Sequence, residues 1–173
     1  EFQTCALPIY AMASATLVPW AQYWAWVLSG TACSEITSLG CHTDLWLPEA
    51  AQFSPMAQRL GWAERFAPLA KAGDAVGTLR PELARATGLP ETAQILAGVH
   101  DSNAALLAAR GFREIAQHEA TILSTGTWFI AMRLAKEPVS IASLPEARDT
   151  LVNIDVYDRK STRLNSSHRC ISY

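Results

Sequence analysis

A short apolar run, Gln94 to Val99, ends in the polar pair His100-Asp101 and passes at once into a stretch of small residues, Ser102 to Ala109 (SNAALLAA). The length of the run reads as a buried strand, and the small-residue stretch reads as a helix. Asp101 or Ser102 can serve as its N-cap. A strand that hands directly to a helix, with polar side chains at the junction, is where α/β proteins commonly place a ligand site. The junction therefore predicts an α/β enzyme-like domain with candidate chemistry at residues 100–101.

The rest of the chain fits that class. Leu17 to Leu28 (LVPWAQYWAWVL) is aromatic-rich at helical spacing, with Trp20, Tyr23, Trp24 and Val27 on one face, and Ser29-Gly30 closes it. Four of the six tryptophans lie between Trp20 and Trp46, which predicts that this third is heavily buried or faces a ligand. Ser34 to Leu45 is a short polar segment with a Gly-Cys-His turn. Pro48 to Leu60 reads as a helix, Trp62 to Leu69 as a short amphipathic piece, and Gly73 to Leu79 as a turn into a strand. Pro81 to Thr87 reads as a helix opened by proline and closed by Gly88. Gly111 ends the helix after the junction. Glu119 to Leu134 reads as two strands joined by Ser124-Thr125-Gly126-Thr127, and Leu144 to Tyr157 as a loop entering a further strand.

Residues 1–10 and 159–173 carry neither a helical nor an alternating apolar period. Both strings resemble translated sequencing-adapter sequence and are set aside as non-native. The remaining Ala11–Asp158 holds 10 Lys and Arg against 15 Asp and Glu, a net charge of −5 that gives no reason to expect nucleic acid or an acidic membrane as partner. No run of apolar residues is long enough for a membrane span. Cys33 and Cys41 are the cysteines left in that segment. Two cysteines make no disulfide framework, and a reduced cytoplasm is the simplest setting. Cys33, Cys41 and His42 lack paired Cys-x-x-Cys spacing, so no metal site is expected from them.

Three constellations could carry chemistry. Asp101, held rigidly at a strand end, could accept the proton of a hydroxyl attacking phosphorus; it could equally be only a helix cap, and one residue can do both. His100 could bond a sugar hydroxyl, or be a histidine satisfied by backbone. A metal-dependent His-Asp phosphohydrolase would need further ligands on long helices, which this context does not offer. At Ser124-Thr125-Gly126-Thr127, a glycine and successive N–H groups can form an anion nest, although an ordinary hairpin turn has the same look. Ser34 to Trp46 sets Glu35, His42 and Asp44 near Trp46, as in many sugar sites and in many solvated loops.

Taken together, Tyr23-Trp24-Ala25-Trp26, Ser29-Gly30, Thr37 to Trp46 (TSLGCHTDLW), Gly77-Thr78-Leu79, Gly98-Val99-His100-Asp101 and Leu123 to Trp128 (LSTGTW) occur in the order seen in FGGY carbohydrate kinases. The resemblance covers essentially all of Ala11–Asp158. It implies an α/β chain that is part of the actin-like, ribonuclease-H-like two-domain sugar kinase fold. Residues 11–111 would be the later part of the sugar-binding domain, and residues 119–158 the start of the ATP-binding domain. It implies that Asp101 is the catalytic base, that His100 contacts substrate, and that Ser124, Thr125, Gly126 and Thr127 grip the phosphates of ATP, with Mg²⁺ as companion ion. His100 before Asp101 is similar to L-rhamnulokinases and L-fuculokinases, whereas xylulokinases and glycerol kinases usually carry another residue there. Trp128-Phe129 departs from the usual continuation.

The amino-terminal phosphate hairpin, its magnesium-linked aspartate and the adenine-binding half of that family are not in this sequence, so the chain alone is expected not to phosphorylate anything. It is also expected to be poorly soluble, with open sheet edges and exposed apolar faces. A catalytically silent sugar sensor on the same fold and a broken reading frame are the competing expectations. A sensor has no need of both Asp101 and the Ser-Thr-Gly-Thr turn.

Overall fold

The computed structural model of the chain describes residues 14–41, 43–48, 50–125 and 129–134. The first elements are α1 (Trp20–Ser29), β1 (Ser34–Glu35), α2 (Ile36–Gly40), β2 (Trp46–Leu47), β3 (Gln52–Phe53) and α3 (Pro55–Arg59). A 3-10 turn at Ala63–Arg65 leads to β4 (Leu69–Ala70), β5 (Ala75–Thr78), α4 (Pro81–Thr87) and β6 (Gln94–Leu96). Then come α5 (Asp101–Ala109), α6 (Arg113–Gln117), β7 (Ala120–Thr125) and β8 (Phe129–Leu134). Among the described residues the strands pair two by two. β1 and β4 are parallel; β2–β3, β5–β6 and β7–β8 are antiparallel.

Local chemistry explains most boundaries. α1 stops at Gly30, whose φ of 86° is left-handed and whose N–H bonds the Trp26 carbonyl at 2.7 Å. α4 opens on Pro81 and closes on Gly88 at φ 74°, as the sequence predicts. The helix expected over residues 48–60 begins only at Pro55, where the Ser54 hydroxyl accepts the Ala57 N–H. Ahead of it the chain turns back so that Trp46 pairs with Phe53, their rings edge to face at 5.2 Å. That aromatic cross-strand contact outweighs the helical pattern of a few residues. α6 has no counterpart in the sequence reading, because five residues are too few for a periodic signal.

The strand expected over 94–99 is corrected in two ways. It ends at Leu96, and it is not buried: Leu96 is 51% exposed, since a two-stranded ribbon has no layer on its far face. Burial begins one residue later, at Ala97. The tryptophan-rich face of α1 also departs from expectation. Trp20, Tyr23, Trp24 and Trp26 are exposed, and Trp20 and Tyr23 stack on each other at 5.6 Å. The face of α1 that is covered carries Gln22 and Ala25. Small residues allow close approach there: a Cβ on Gly77 of β5 would lie 3.1 Å from the Ser29 Cβ.

Two apolar clusters anchor the ends of the described chain. Leu39 and Trp46 pack with Ile36, Phe53 and Phe66. Leu106 of α5 packs with Met132 and Leu134 of β8, and Ile115 and Ile122 complete the group. Among the described residues no helix is long and apolar enough to cross a membrane. The segment Leu144 to Tyr157 lies outside the described residues.

Candidate active site

The junction between β6 and α5 is held from two directions. Gln22, fully buried in α1, donates through Nε2 to the carbonyls of Ala97 and Gly98, each at 3.2 Å. Gly98 has φ 83°, a left-handed conformation that a side chain would strain, and here the backbone changes direction. Two residues on, the His100 N–H donates to the Thr37 hydroxyl at 3.1 Å. Thr37 is fully buried, and its own hydroxyl donates to the Glu35 carboxylate.

Glu35 is the N-cap of α2. Its carboxylate accepts the N–H groups of Thr37 and Ser38 at 3.0 and 3.2 Å. Burial pushes its carboxyl above the usual range, and the hydrogen bonds from Thr37 and Ser38 only partly oppose this. Burial, and then the neighbouring Glu35, also raise the Cys33 thiol. Glu35 is 1% exposed, so the solvated-loop alternative is corrected for this residue. Nor do Glu35 and Trp46 line an open sugar site. The carboxylate is used in capping α2, and the Trp46 ring is packed on Phe53. Asp44 is exposed, and His42 lies outside the described residues.

The N-cap of α5 is His100 rather than Asp101 or Ser102. Asp101 is the first helical residue, and a negative charge there suits the positive end of the helix dipole. Its Oδ1 accepts the Ser102 N–H at 2.6 Å and lies 3.0 Å from His100 Nδ1. The same Nδ1 accepts the Ser102 N–H at 3.3 Å, the bond that makes His100 the cap, so Nδ1 faces both a backbone donor and the Asp101 carboxylate. The Asp101 side chain is 91% exposed, so the carboxylate is oriented yet open to an approaching molecule.

At the second constellation, Ser124 pairs with Ile130 and Thr125 with Phe129 at the end of the β7–β8 ribbon. Thr125 is exposed, while Gly126 and Thr127 lie outside the described residues. The Leu106 cluster ties α5, which begins at Asp101, to this ribbon. Sequence reasoning missed Gln22 and Thr37 as supports of the junction. Gln22 was visible as the one polar amide inside an aromatic run, and Thr37 as part of the capping pattern Glu-x-Thr-Ser.

Residues 117–162 match the family described as carbohydrate kinase FGGY, C-terminal domain. The L-fuculokinase of Salmonella typhi is 33% identical over 111 residues, which is 61% of this chain and 21% of that protein. The L-fuculokinase of Escherichia coli (strain K12) is 34% identical over 119 residues, 67% of this chain and 24% of that protein. Among solved structures, a carbohydrate kinase from Novosphingobium aromaticivorans superposes with a TM-score of 0.85 at 64% identity, over 94% of this chain and 34% of that one. Ligand-bound xylulose kinase from Lactobacillus acidophilus superposes with a TM-score of 0.64 at 13% identity, over 86% of this chain and 28% of that one, a likeness of fold alone. The chain thus spans about a quarter of the curated relatives' length. The α/β class and the actin-like sugar kinase fold expected from the sequence hold, and the chain is similar to FGGY carbohydrate kinases along these matched segments.

Proposed function

We propose that this chain is the central segment of an ATP-dependent sugar kinase that transfers the γ-phosphoryl group to a hydroxyl of a ketose or deoxy-ketose. Residues 11–111 belong to the sugar-binding domain and residues 119–158 open the ATP-binding domain. The full protein works in the cytoplasm, and this segment alone has no activity.

The observation that carries this reading is the state of Asp101. It is a carboxylate with one oxygen fixed by Ser102 and His100 and the rest open to solvent, at the end of a half-buried turn. A sugar hydroxyl donates its proton to the open oxygen, Oδ2, as the hydroxyl oxygen bonds to phosphorus and ADP departs. The base mainly orients the nucleophile and receives the proton late. His100 Nε2 hydrogen-bonds a second sugar hydroxyl. Ser124, Thr125, Gly126 and Thr127 present the turn that receives the ATP phosphates. Mg²⁺ screens charge on those phosphates in such reactions. Among the described residues no group of three or more His, Cys, Asp or Glu could hold that ion, so no step is assigned to it.

The test uses the full-length protein with a panel of ketoses and deoxy-ketoses, following ATP-to-ADP conversion in wild type and Asp101→Asn. Sugar-dependent turnover that falls by about 10²–10⁴-fold in the variant supports both the kinase and the base. Sugar binding without turnover in wild type would replace this reading with a sensor.

A further inference from the structure

We propose that Thr37 is a positioning residue for Asp101, acting through the backbone of His100. The proposal rests on the kinase reading for its catalytic consequence but not for its structural content.

The contacts of the Asp101 carboxylate are with its sequence neighbours, Ser102 and His100. Such contacts orient the carboxylate relative to α5, yet they cannot fix where the start of α5 sits relative to a bound sugar. That placement comes from the other side of the chain. Gln22 holds the carbonyls of Ala97 and Gly98, and Thr37 holds the N–H of His100. The two Gln22 bonds hold the carbonyls on either side of the left-handed φ of Gly98, 83°, and so fix the turn itself, leaving Val99 and His100 to be held from elsewhere. The Thr37 bond, 63 residues away in sequence and one residue before Asp101, holds His100.

Thr37 is suited to this because its hydroxyl has no choice of role. A hydroxyl offers one proton and two lone pairs. The proton goes to the Glu35 carboxylate, and the lone pairs are thereby turned toward His100. Glu35 is itself fixed by the N–H groups of Thr37 and Ser38. The Thr37–Glu35 bonds are buried, with Glu35 at 1% and Thr37 at 0% exposure, and the bond to the His100 N–H is partly buried, so a lost partner there is costly to replace. Few elements stand between α2 and the reacting carboxylate: one hydroxyl, one amide and one peptide unit. Displacements of about 1 Å in such a group can cost about a hundredfold in rate.

The experiment compares Thr37→Val, Thr37→Ser and Leu79→Ala in the full-length protein. Valine keeps the shape and removes the hydroxyl; serine keeps the hydroxyl. Leu79 is buried outside this network and gives the scale of a purely structural loss. Three quantities are read: kcat and KM for the sugar, melting temperature, and amide exchange in the peptide spanning residues 96–102. Thr37→Val is expected to lower kcat by about 10–100-fold. It should also speed exchange in that peptide by about tenfold, the effect of one lost buried hydrogen bond. Thr37→Ser should restore both to within a few-fold of wild type, and Leu79→Ala should lower melting without the drop in kcat.

Wild-type kcat and exchange in Thr37→Val would overturn the proposal. So would an equal loss in Thr37→Ser, or an equal fall of kcat in Leu79→Ala. Should wild type turn over no sugar, the kinase reading fails on its own, and exchange still decides the positioning: faster in valine and normal in serine sustains it, unchanged in valine ends it.

Discussion

Gln22 donates its side-chain amide to the Ala97 carbonyl at 3.2 Å, joining two fully buried residues 75 positions apart. The same nitrogen reaches the Gly98 carbonyl at 3.2 Å, so one amide group serves two consecutive acceptors. Replacing Gln22 by Leu, similar in size, leaves at least the buried Ala97 carbonyl without a partner and should destabilise the full-length protein by about 1–3 kcal/mol. Urea denaturation checks this. A Leu variant as stable as wild type would mean that those carbonyls find other donors.

The helix ends and the hairpin were legible because their signals are local. Gly30, Pro81 and Gly88 act through their own backbone preferences, and the chain places them as expected. The Asp101 junction was legible for the same reason. What could not be read is which partner each element would meet. Residues 48–53 carry a helical pattern that loses to the Trp46–Phe53 pair, a contact fixed only once β2 and β3 meet. Trp20 and Trp24 suggested a buried face, yet the covered side of α1 holds Gln22 and Ala25, because the β5–β6 ribbon approaches closely enough to admit only small or hydrogen-bonding groups. The support of His100 by Thr37 crosses 63 residues and leaves no periodic trace.

Glu35 should give the protein a distinctive pH profile. Burial raises its carboxyl in the folded state above the value of about 4.3 expected in an unfolded chain. The folded state therefore holds this proton more tightly than the unfolded one. Its contribution to stability is fully present below the unfolded value and is lost as pH rises through the raised folded value. Glu35→Gln removes that titration. The stability of wild type relative to Glu35→Gln should fall as pH rises from about 4 through the raised folded value, then level off above it. Denaturation midpoints measured for both proteins across that range provide the test, and parallel curves would refute it.

The contact between Gly77 and Ser29 makes a prediction about shape. A Cβ at Gly77 would lie 3.1 Å from the Ser29 Cβ, which is closer than side chains ordinarily pack. Gly77→Ala should cost about 1–3 kcal/mol through overpacking between α1 and β5. Ser29→Gly should cost about 1 kcal/mol on its own, as a glycine at the end of a helix. If the clash is the cause, the double variant is more stable than the sum of the two losses by about 0.5–3 kcal/mol. Strict additivity in denaturation experiments would place the cost of Gly77→Ala elsewhere.

His100 separates two tasks that the proposed kinase assigns to one ring. Nδ1 faces Asp101 Oδ1 at 3.0 Å, and Nε2 is the ring nitrogen proposed to meet the sugar. An Asn at this position places an amide N–H near the site of Nδ1 but nothing at Nε2. His100→Asn should therefore keep Asp101 oriented while losing the sugar contact. KM for the sugar would rise by about tenfold, as for one lost hydrogen bond, with kcat within a few-fold of wild type. His100→Ala removes both contacts, so its kcat should fall as well, by about tenfold or more. Steady-state kinetics with the sugar identified in the panel read the split directly. Equal kcat in the Asn and Ala variants would show that Nδ1 does not orient the carboxylate, and an unchanged KM in both would remove His100 from the sugar site.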